Sequence, residues 1–131
     1  MRRLGFNGFV IAALCVSPPQ MSIAAQPSPV LATELALRPP ARDVALALFA
    51  KYCGLRSDEW VLVFTQSLTM LAQSEAEKAH LSVDNRKLVD ADMQRTIHEN
   101  MPPMSKCQDM VNSPTMDRLD QLEYRLTGGY H

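Results

Sequence analysis

The chain has 131 residues, with 13 basic against 14 acidic side chains, 47% hydrophobic residues and 6% aromatic ones. That is material for one domain at most. The balanced charge excludes the basic stripe of a nucleic-acid-binding surface, and the apolar content excludes wholesale disorder.

Residues 1–24 have the three-part layout of a cleaved secretory signal peptide. Met1-Arg2-Arg3 is a short positive start, Leu4 to Val16 is largely apolar, and Ser22 and Ala24 are small residues at the −3 and −1 positions of a cleavage site. The apolar stretch contains Gly5, Asn7 and Gly8 and is 13 residues long. A membrane span needs roughly 20. No transmembrane segment is therefore expected in the mature chain, which the address places in the periplasm or outside the cell.

Loss of the leader removes Arg2, Arg3 and Cys15, leaving 11 basic and 14 acidic residues and the cysteine pair Cys53 and Cys107. Two cysteines in an oxidising compartment read as one disulfide. Closing a loop of about 55 residues stabilises a fold by roughly 4 kcal/mol in the chain-entropy model.

Residues 25–40 carry prolines at 27, 29, 39 and 40. They read as an extended N-terminal arm, with a helical turn or two over Val30–Leu37. From there on, residues 41–131 read as one helical domain. Pro39-Pro40 opens a helix over Ala41–Cys53, because proline is tolerated in a first turn. Val44, Leu48 and Tyr52 form one row, with Ala45, Phe49 and Cys53 beside it. Gly54 stands where a helix end needs a left-handed residue.

Ser57 caps a second helix, with Asp58 and Glu59 at the positive end of its dipole. Its opening, Trp60 to Phe64, is apolar all round and also fits a short buried strand. Leu68, Leu71 and Ala72 continue the face without a turn signal, which favours a helix to about Lys78. Ser82 caps a third helix to about Asn100, with Val89, Met93 and Ile97 inward and Asp90 and Asp92 pointing elsewhere. Pro102-Pro103 stops it. Cys107 lies in a short turn over Ser105–Val111. Ser113-Pro114 then starts a last helix, lined by Met116, Leu119, Leu122 and Leu126 and ended by Gly128-Gly129. The predicted fold class is all-α: a small four-helix bundle with one disulfide, behind a cleaved signal peptide.

The residues that carry chemistry are sparse. No glycine-flanked serine or other nucleophile motif holds the available Ser, His and Asp, and both mature cysteines are expected to be bonded. Asp90/Asp92 and Asp117/Asp120 read as solvated helix surface. The glycines at 54, 128 and 129 sit at helix ends, not in a phosphate-binding loop. No enzyme activity of its own, no catalytic residue, no cofactor and no metal are expected. One pattern stands out: His98, Met101, Met104, Cys107 and Met110 recur at every third position. Thioether and imidazole ligands suit monovalent copper. The plainer reading is that these methionines fill gaps where a loop packs over the bundle.

The order of a helix ending at Cys53, a two-helix excursion, Pro102-Pro103, Cys107 and a closing helix resembles the pilotins of type II secretion (the Pul/Out kind). AKYCGLRSDEW is similar to their first-cysteine region and MPPMSKC to their second, over about residues 45–125. The chain departs from the pattern in placing Trp60 near the first cysteine and in lacking a lipid-attachment box. The resemblance implies a small helical periplasmic protein that grips a helix of a secretin.

These readings converge on a non-enzymatic exported protein that binds another protein as an accessory or assembly factor of a cell-envelope complex. Trp60, Phe64, Leu68 and Leu71 are the expected partner-binding residues, in a groove between the two middle helices. The alternatives are a small acid-activated periplasmic chaperone and a copper carrier using the segment 98–110.

Overall fold

The computed structural model describes residues 28–129, which are helical throughout, with no strand among them. The signal-peptide reading of 1–24 lies outside these residues. In chain order the elements are α1 (Pro29–Tyr52), α2 (Asp58–Lys78), α3 (Val83–Glu99), a 3₁₀ turn (Met104–Lys106), the single turn α4 (Cys107–Met110) and α5 (Pro114–Leu126).

The main departure from the sequence reading is α1. The predicted arm is helical from Pro29 onward, and Pro39 and Pro40 lie inside a continuous helix of 24 residues. Ser28 caps it, its hydroxyl accepting from the Leu31 N–H at 3.1 Å, with Pro29 in the first turn. Each internal proline lacks an N–H, so the bonds to the Leu35 and Ala36 carbonyls are missing. Both of those residues face water, which can satisfy the carbonyls. The segment stays helical because Leu37 is fully buried and Arg38 is bonded to α3. Tertiary packing overrides the local proline preference here.

The remaining starts follow the sequence. Ser57, Ser82 and Ser113 each accept a hydrogen bond from the backbone N–H three residues on, at 3.2 Å. Three helix ends close in the same way, with a left-handed residue after the cap and paired reverse hydrogen bonds that satisfy the last carbonyls. At α1 the residue is Gly54 (φ 77°), and Leu55 N–H reaches the Ala50 carbonyl. At α5 it is Gly128 (φ 67°). At α2 it is His80, a side-chain-bearing residue held at φ 54°, and Leu81 N–H bonds Ala76. The two residues made adjacent by that turn, Leu81 and Ala76, are both buried.

α1 is the axis of the molecule. Both α2 and α3 pack extensively on it and scarcely on each other, while α5 lies across α2 and α1. Five of the buried residues of α1 are alanine or threonine (Thr33, Ala41, Ala45, Ala47, Ala50), which lets neighbouring helices approach closely on more than one side. Leu37, Val44 and Phe49 supply the bulk, joined by Phe64 and Leu68 of α2, Val89 and Met93 of α3, and Met116 and Leu119 of α5.

Cys53 and Cys107 form a disulfide, with Cα atoms 5.4 Å apart. It ties the end of α1 to α4, and both cysteines pack partly buried against the core.

Candidate functional site

The residues expected to bind a partner do not all face one groove. Phe64 and Leu68 are core residues, 3% and 7% exposed, and each shows only an edge at the surface. Trp60 is half-buried. Its ring lies 4.8 Å from that of Phe64 and beneath the Arg56 guanidinium at 5.7 Å. Leu71 alone of the four is well exposed, at 39%. The physical reason is the position of α1: lying between α2 and α3, it absorbs the apolar face that the sequence assigns to a groove between them.

A groove between α2 and α3 does exist, of about 400 Å³, but other residues line it. Ala72, Ala76, Val89 and Met93 form its floor, and Thr69, Gln73, Arg86, Asp90 and Gln94 its polar walls. Polar walls make up a large share of its surface, so it is a mixed groove and not a dominantly apolar one.

The apolar opening lies on the other side of α2. Phe64, Leu68 and Leu71 line a cleft of about 270 Å³, with Pro39 and Pro40 of α1 and Leu122 and Leu126 of α5. Ser67 and Asp43 complete the lining. Leu71 and Leu126 stand at its rim, 39% and 42% exposed. Asp43 is held by Arg118 of α5 at 2.9 Å, which fixes α5 against α1 beside the cleft. Two of the residues that matter here, Pro39 and Pro40, were assigned by the sequence reading to the arm. The Ser28-Pro29 pair, the same capping signal as Ser113-Pro114, could have corrected that.

Asp92 overturns its own expectation of solvated surface. Its side chain is 2% exposed and accepts two bonds from Arg38, from Nε and Nη2, both at 3.1 Å. Arg95, one turn along α3, also pairs with it. Asp120 is likewise engaged, by the Arg56 fork through Nε at 2.9 Å and through Nη2. These side-chain hydrogen bonds raise the pKa of Arg38 and of Arg56 above the ordinary arginine value, against a smaller opposing effect of desolvation. Asp90 and Asp117 remain exposed as read.

The methionine row is divided between surface and core. Met104 and His98 are exposed, Met101 is half-buried, Cys107 is in the disulfide, and Met110 is buried, its sulfur accepting from Ser113 Oγ at 3.9 Å. Among the described residues no group of three or more His, Cys, Asp or Glu is placed to hold a metal ion. No helix among them is long and apolar enough to cross a membrane.

Comparison with known proteins finds no matching family model, no matching characterised protein and no matching solved structure.

Proposed function

We propose that this is an exported, non-enzymatic protein that binds another protein of the cell envelope through the cleft between α1, α2 and α5. The observation that carries the reading is the cleft itself. Its lining is almost wholly proline, leucine and phenylalanine, and it opens between two exposed leucines, Leu71 and Leu126. A recess of about 270 Å³ suits one large apolar side chain, such as a leucine or phenylalanine projecting from an amphipathic helix. The Asp43–Arg118 pair bridges α1 and α5 beside it. A pilotin-like assembly role is one form of this function, and it rests on the spacing of helices and cysteines.

The test is site-specific photo-crosslinking in cells, with the reactive residue placed at Leu71, Leu126 or Leu62. Leu62 is 50% exposed and lies two and a half turns before Leu71, on the opposite face of α2. A discrete adduct from 71 and 126 but not from 62 supports the cleft. Equal labelling at all three positions, or none, rejects it.

A further inference from the structure

We propose that Pro39-Pro40 is a hinge and that residues 29–38 of α1 are a strap, docked along α2 and α3, that opens independently of the rest of the protein. Any point in an α-helix is crossed by a set of i→i−4 hydrogen bonds. At the Arg38–Pro39 junction, half of that set is absent, because neither proline has an N–H to give. The residue before a proline is also pushed away from helical geometry, and Arg38 and Pro39 both occupy that position. The helix is therefore weakest at one place near its middle.

The two sides of that point are held very differently. Beyond it, Ala41, Val44, Ala45, Ala47, Phe49 and Ala50 are all buried. The same half is fastened by Asp43–Arg118, by Lys51–Asp58 at 3.2 Å, and by the disulfide at Cys53. Before it, only Thr33 and Leu37 are buried, and among the described residues the one ion pair to another element is Arg38–Asp92. A segment with few buried contacts, joined through a weakened helical junction to a firmly held one, has the makings of a sub-global opening unit.

Opening would uncover a surface with a definite chemistry. Leu37 belongs to the core cluster that also holds Ala76 of α2, Leu81 just after it and Val89 of α3, and Pro29, Ala32 and Thr33 line a recess with Glu75, Lys78 and Ala79 at the α2 end. Asp92 lies at the edge of the same seam. An apolar trough beside a buried carboxylate fits an amphipathic helix carrying a leucine followed by an arginine, the pair the strap itself presents. This surface is separate from the α1–α2–α5 cleft, and its test does not depend on what that cleft binds.

The experiment is native-state hydrogen exchange on the full protein with its disulfide intact, at increasing low concentrations of urea. The expected result is exchange at amides 33–38 at least tenfold faster than at 44–50, with a distinctly smaller urea dependence. Equal rates and equal urea dependence in the two segments would mean that α1 opens as one unit, and would overturn the strap. The double substitution Pro39→Ala/Pro40→Ala restores the missing donors, so it is expected to fold. It should slow exchange at 33–38 at least tenfold. Unchanged or faster exchange there would overturn the hinge.

Discussion

Replacing Leu37 with alanine distinguishes a docked helix from a proline-rich arm at residues 29–40. Leu37 has no solvent exposure and belongs to the main core cluster. The substitution removes about three carbons. At ~0.8 kcal/mol per buried methylene, the transfer cost alone is about 2.4 kcal/mol. The cavity left behind brings the expected loss to about 3–4 kcal/mol, since helices packed on both sides of α1 restrict collapse into the gap. Alanine is the better helix former, so intrinsic propensity works slightly in the opposite direction. For a domain of this size the loss corresponds to a fall in Tm of roughly 12–30 °C. The control is Leu35→Ala, two residues earlier on the same helix and 49% exposed, for which the expected loss is under about 1 kcal/mol. Both are read by urea denaturation followed at 222 nm and by the fluorescence of Trp60, the single tryptophan, without reductant. Equal effects of the two substitutions, each below about 0.5 kcal/mol, would refute the docked helix.

Other outcomes follow from the helix ends and cross-links. Cys53→Ser/Cys107→Ser opens a 54-residue separation and should cost roughly 4 kcal/mol, with the same loss on adding reductant to the native protein. His80→Gly relieves a left-handed residue at φ 54° and should stabilise by up to about 1 kcal/mol in the same urea assay. The Asp120 hydrogen bonds raise the Arg56 pKa, so the charge on the Arg56 side of the pair is kept throughout the ordinary pH range and is lost only in strong alkali. The destabilisation caused by Arg56→Gln should thus be the same at about pH 6 and about pH 10. A difference that shrinks by half across that range would contradict the pairing.

Much of the helical frame is legible in the sequence because its signals are local. Ser57, Ser82 and Ser113 announce starts, and Gly54 and Gly128 announce ends, each through a backbone need that only a few residue types meet. Val89, Met93 and Leu119 fall inward as their spacing predicts. What the sequence hides is which helix lies between which. Nothing local shows that α1 separates α2 from α3, so Phe64 and Leu68 look like spare apolar surface when they are interior. The same blindness affects Arg38 and Asp92. Separately, each is an ordinary surface charge, and only the packing of α1 on α3 makes them partners. Pro39 and Pro40 mislead because their usual effect on a helix is outweighed by Leu37, two residues away. Of the four residues named for binding, only Leu71 combines the predicted apolar character with exposure.

The disulfide has a further consequence for how the molecule survives damage. Cys53 and Cys107 enclose α2 and α3 within a covalent ring, with all of α1 in one tail and α5 in the other. One peptide cut anywhere from Gly54 to Lys106 therefore releases nothing. The two pieces stay joined, and the cut molecule differs in mass from the intact one by a single water until a reductant separates them. A cut in either tail leaves a fragment held by packing alone. As long as the disulfide stays oxidised, this chain can be nicked in its middle and still travel as one molecule.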